Sequence, residues 1–79
     1  MDAQLAYNYV ADFIAAMNPI KMLELRAPEG MRLRLEELIE REKDGHLSST
    51  EKDELDHYMV LERLIRLAKA HARIKLATA

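Results

Sequence analysis

Apolar positions recur along this chain at helical spacing from one end to the other. In the first segment, about residues 2–17, Leu5, Tyr9, Phe13 and Met17 return every four residues, and Val10 and Ile14 widen the stripe. That pattern predicts an amphipathic helix with Asp2 as its cap. Asn18-Pro19 ends it, because proline lacks the amide hydrogen of a helix interior and drives the preceding residue out of the α region. The same pair opens a short helix over about 19–26, with Asn18 capping and Pro19 in the first turn. Ala27-Pro28 repeats the device ahead of a third helix, about 28–43. This helix sets Met31, Leu35, Leu38 and Ile39 on one face and Arg32, Glu36, Arg41 and Lys43 toward water. Asp44-Gly45 stops it, glycine being the residue that takes a left-handed conformation beyond a helix end.

Ser48 followed by Glu51 forms a capping box, each side chain placed to bond the other's backbone amide. From there nothing breaks the helical pattern to about residue 76, a span of about 40 Å at the α-helical rise. One broad face carries Tyr58, Val60, Leu61, Leu64, Ile65, Leu67, Ala68, His71 and Ala72, and the opposite face carries Glu62, Arg63, Arg66, Lys69 and Arg73. The third helix, at about 24 Å, is much shorter than this antiparallel partner and runs out opposite roughly Leu67. The first helix, or something outside the chain, must cover the remainder. The predicted fold is all-α: three helices plus a short fourth in one domain over 1–79, built on an antiparallel hairpin with a long C-terminal helix.

The composition agrees. Apolar residues make up 49% of the 79 positions and charged residues 33%, with two Gly, two Pro and no Trp. Such a mixture folds rather than staying disordered, and it lacks the turn residues of a sandwich or barrel. The absence of Cys removes disulfides, thiolate metal sites and cysteine nucleophiles. No apolar run is long enough to span a membrane. Asp2, with no basic cluster before an apolar run, gives no sign of a secretory leader, and the expected address is the cytoplasm. At this size a single core supplies only a few kcal/mol, so self-association or a required partner is the expected remedy.

The net charge of −2 conceals two opposed blocks. Nine acids against three bases lie between Glu36 and Asp56, whereas Arg63 to the end holds five bases and no acid. Acids early and bases late complement helix dipoles, and the same asymmetry can guide an oppositely charged partner. Arg63, Arg66, Lys69 and Arg73, with Lys75 to one side, align along one helical edge as phosphate tracking needs. The pI of about 5.9 and the absence of interleaved aromatics weigh against nucleic acid.

Chemistry-bearing constellations are few. Residues 40–51 place oxygen-bearing side chains at positions 1, 3, 5, 9 and 12 of a calcium-loop frame, with Gly45 at position 6. The Glu residues at positions 1 and 3 and the neighbouring Arg41 and Lys43 spoil that frame, and a helix stop followed by a capping box explains the same letters. His57 and His71 lie about 21 Å apart on one helix, too far to share an ion, and each is expected beside the apolar face with a hydrogen-bond partner. Met17, Met22, Met31 and Met59 fall at core spacings and read as gap fillers. Ser48 and Ser49 have capping work and no base to activate them. No catalytic, cofactor-binding or metal-binding residues are predicted.

The stretch Arg34-Leu35-Glu36-Glu37-Leu38-Ile39-Glu40-Arg41, then Asp44-Gly45-His46-Leu47-Ser48, Glu51 and Asp53-Glu54-Leu55-Asp56, leads on to Leu61-Glu62, Leu64 and Leu67-Ala68-Lys69-Ala70-His71-Ala72-Arg73. Together these resemble a set of small bacterial helical-hairpin proteins without assigned activity, often encoded beside toxin or nuclease genes. The resemblance implies an antitoxin-like or accessory role and carries no catalytic motif.

The expected function is therefore non-catalytic binding of a protein partner through the long C-terminal helix. The expected interface is Leu64, Leu67, Ala68, His71, Ile74 and Leu76, flanked by Arg66, Lys69 and Arg73. The partner is a toxin or nuclease in one reading and a second copy, closing a homodimer, in another. A nucleic-acid accessory role is third, and no membrane role is expected.

Overall fold

The computed structural model describes residues 2–78. It contains α1 (Ala3–Met17), α2 (Pro19–Glu24), α3 (Glu29–Lys43) and α4 (Ser49–Thr78), and no strand among the described residues. The fold is all-α.

Each helix begins where local chemistry favours it. The Leu5 amide donates to Asp2 Oδ1 at 2.8 Å, and the Lys21 amide donates to Asn18 Oδ1 at 3.0 Å. Pro19 occupies the first turn of α2 without wasting a hydrogen bond. Only α3 starts without a side-chain cap, behind Pro28. The capping box forms reciprocally: the Ser48 amide donates to Glu51 Oε1, and the Glu51 amide to Ser48 Oγ, both at 3.1 Å. Gly45 takes φ +74° behind α3, the left-handed turn that its position predicts.

The chain gathers into two compact units, Arg26–Leu61 and Met1–Leu25 with Glu62–Ala79. In the first unit, α3 and the beginning of α4 form an antiparallel hairpin, since Arg41 pairs with Glu51 and the earlier Arg34 with the later Glu54. Leu38 is fully buried and Leu55 nearly so, with Met31, Leu35 and Ile39 half-buried, which is the α3 face that the apolar spacing marks.

In the second unit, α1 and α2 lie against the later part of α4. Gln4 pairs with Arg63, Asn8 with His71 and Asp12 with Lys75, so both numberings rise together and the two helices run parallel. The core of this unit is made of small residues. Ala11 and Ala15 of α1, Ala68 and Ala72 of α4, and Met22 of α2 are buried, with Ile14, Leu64, Ile65 and Leu67 packed around them. Alanines spaced four apart on each helix form flat seams that let two backbones approach closely. The stripe of large residues on α1 is therefore not the face it buries. Two methionines depart from the gap-filling expectation too: Met17 is 74% exposed and Met59 49%, whereas Met22 is buried and Met31 half-buried.

Candidate interaction surface

With the alanine seam turned inward, the opposite side of α1 presents large apolar side chains to solvent. Leu5 is 58% exposed, Tyr9 67%, Phe13 62% and Met17 74%, with Val10 at 42% beside them. Those exposures correspond to roughly 600 Å² of open surface at about 200 Å² for a whole large side chain. Exposed Ala6 and Ala16 share that face. The largest apolar patch on an ordinary monomer is about 300–600 Å², so this one stands at the top of the range before the alanines are added.

Two shallow apolar grooves adjoin the ends of the stripe. Ala3, Ala6, Tyr7, Val10 and Leu64 line one of about 320 Å³. Ile14, Met17, Asn18, Lys21, Met22 and Leu25 line the other, about 250 Å³. Between Ala3 and Met17 the single charged residue is Asp12, and it is turned toward α4, 2.8 Å from Lys75 Nζ. That ammonium holds the Asp12 carboxyl below its usual range. The stripe is thus uncharged along its length.

The residues that the sequence marks for the interface divide between the inside and outside of the chain. Ala68 is buried, Leu64 and Leu67 pack on the alanine cluster, and His71 is half-buried. Ile74 and Leu76 remain exposed at 61% and 39%, and Arg73 is exposed. The part of the α4 apolar face that the sequence pattern leaves to the first helix or to something outside the chain is covered in good part by α1 and α2, though Ile74 and Leu76 stay exposed, and α1 itself keeps an open apolar side. Sequence reasoning locates the Leu5–Met17 stripe. It misses the direction of that stripe, because hydrophobic periodicity weights bulky residues and passes over alanine.

Most of the basic edge has partners within the unit. The Arg63 guanidinium donates to Gln4 Oε1 and lies 5.1 Å from the centre of the Tyr7 ring, a cation–π contact. Arg66 pairs with Glu62 at 2.7 Å, and Lys69 Nζ donates to the Leu25 carbonyl at 2.6 Å. Lys75 is held by Asp12. Phosphate binding would have to compete with these contacts.

His71 sits between two oxygens: Nδ1 is 3.4 Å from Asp12 Oδ1, and Nε2 is 3.4 Å from Asn8 Oδ1. Asn8 is oriented by its own Nδ2, which donates to the Gln4 carbonyl at 3.0 Å. A proton on either ring nitrogen finds an acceptor, as the sequence reading expects for this histidine. His57 instead lies exposed. In the calcium-like segment, the carboxylate at position 12, Glu51, is occupied by the Ser48 amide and Arg41 and titrates below its ordinary range, with the Ser48 hydrogen bond the main cause. Among the described residues no three His, Asp or Glu side chains converge as metal ligands, and no helix is long and apolar enough to cross a membrane. Comparison with protein-family models, with curated proteins and with solved structures returned no match to this chain.

Proposed function

We propose that this protein is a non-catalytic binding module that engages a protein partner through the outward face of α1. The observation that carries this reading is the uncharged stripe Leu5, Tyr9, Phe13 and Met17, more than half exposed at every position. Leaving over half of each of these side chains in water forgoes about 1–2 kcal/mol for each one that a partner would bury, a proportionate share of the value for full burial. Helix-in-groove and helix-on-helix recognition both use anchors at this spacing. An antitoxin-like or accessory subunit is one form such a module takes, a role resting on the resemblance of the hairpin sequence alone. Nucleic-acid binding through the basic edge is the weaker proposal, since four of its five cations have partners within the unit.

A photo-crosslinking phenylalanine analogue placed at Phe13 tests this in the source cells, with the exposed Lys52 position as control. A discrete protein adduct at position 13 and none at 52 is expected. No adduct at position 13 would overturn the reading.

A further inference from the structure

We infer that the occupant of the α1 stripe is a second copy of the same chain, seated with its α1 antiparallel in a two-fold dimer; this rests on the binding-module reading and names its partner. Three features of the stripe point to self-pairing. It is symmetric in sequence about position 11, so antiparallel packing sets Leu5 opposite Met17 of the second copy and Tyr9 opposite its Phe13. A two-fold interface requires one surface to complement itself, and this arrangement meets that condition with aromatics at the centre and aliphatics at both ends. Tyr–Phe pairs beside the axis can adopt the offset or edge-to-face geometry that aromatic rings favour.

The stripe also carries no charge. Asp12 is the single ionised group of the helix and its charge is paired with Lys75 at 2.8 Å, which offsets the like-charge repulsion of two copies of α1. A membrane surface would call for lysines and arginines bordering the apolar face, and α1 has neither.

The area is also sufficient. Covering roughly 600 Å² on each copy removes about 1,200 Å² in all, the lower edge of a stable specific interface. The two grooves extend it. In the antiparallel register the Leu5 end of one α1 reaches the groove beside Met17 of the other, and its Met17 end reaches the groove beside Val10. Each copy would fill at both ends what the other leaves open.

Sedimentation equilibrium of the full chain across a range of concentrations reads the state directly. The account predicts a mass rising to twice the 9.1 kDa of one chain. Phe13→Glu should keep its far-ultraviolet helicity and raise the dimer dissociation constant by about thirtyfold or more, the loss expected at a central anchor. Because a charge on the stripe could also disturb folding, an apolar-sized pair of changes supplies an independent readout. Leu5→Cys with Met17→Cys should oxidise to a covalent dimer, and neither single variant should do so with comparable yield, since only the antiparallel register brings the two positions together. A helical protein that stays monomeric at all concentrations overturns the inference, as does a dimer unaffected by Phe13→Glu. If such a monomer still forms an adduct with a different protein at position 13, the second copy is excluded while the binding module stands. If it forms none, both fail.

Discussion

The Arg34 guanidinium grips both carboxylate oxygens of Glu54, with Nε and one Nη each 2.9 Å away, across twenty residues of chain. The same arginine lies 3.1 Å from Glu37, and Arg41 bridges Glu37 and Glu51. Two arginines and three glutamates thus alternate across the hairpin and fix its register. Arg34→Lys keeps the charge but loses the two-pronged fit. The expected outcome is a lower urea midpoint for unfolding, with a smaller loss than truncating the apolar residue buried in the same hairpin. An unchanged midpoint would remove the network from the account of register.

That apolar residue is Leu38, the largest fully buried side chain described. Leu38→Ala should cost about 2–5 kcal/mol, the transfer term plus the cavity left behind. A chain of this length has about 4–12 kcal/mol in total, so the variant should be partly unfolded near body temperature by circular dichroism. A loss below about 1 kcal/mol would mean that the hairpin does not depend on this residue.

The two glycines should respond oppositely to alanine. Gly45 has φ +74° with open space where a Cβ would lie, so Gly45→Ala meets backbone strain alone, about 1 kcal/mol of destabilisation. Gly30 lies inside α3 with equally open space, and Gly30→Ala should stabilise by about 0.5–1 kcal/mol. Thermal melts of the two variants on opposite sides of the parent would agree with this. Both on the same side would not.

Acid should weaken both units. Arg34 holds Glu54 below the usual carboxylate range, the Ser48 bond does so for Glu51, and the Lys75 contact does so for Asp12. A carboxylate lowered in the folded chain contributes stability that is complete above its unfolded value, about 4. That contribution is lost as pH falls through the lower, folded value. Chemical denaturation should therefore give a stability level from neutrality to about pH 5 that declines below about pH 4. In Glu54→Gln the decline should be shallower. A stability that rises on acidification would contradict these contacts.

Much of this architecture is legible in the order of the amino acids. Asn18-Pro19, Asp44-Gly45 and the Ser48–Glu51 box are local signals whose physics involves neighbouring residues only, and the end of α1, the start of α2, the end of α3 and the start of α4 fall beside them. The core face of α3 is legible because its inward residues are large, with Leu38 buried and Leu35 and Ile39 half-buried. The α1 face is not. Ala11 and Ala15 gain their value only beside Ala68 and Ala72, a long-range match that no single helix reveals. The interface expected on α4 meets the same limit: whether the first helix or an outside partner covers Leu64, Leu67 and Ala68 depends on Ala11 and Ala15, small residues whose packing on α4 the periodicity does not mark. His71 is half-buried with a polar partner, as expected of it, but that the partners are Asn8 and Asp12 is visible only in the fold.

Two residues apart on α1, Ala11 is fully buried and Phe13 is 62% exposed. The most direct measurement is the unfolding free energy of Phe13→Glu and Ala11→Glu, taken at protein concentrations where single chains dominate. The account predicts that Phe13→Glu stays within about 0.5 kcal/mol of the parent chain, as a surface change does. It predicts that Ala11→Glu, which forces a carboxylate into the alanine seam, loses several kcal/mol or does not fold. A severe loss at Phe13 with tolerance at Ala11 would put the aromatic stripe in the core and remove the surface on which the proposed function depends.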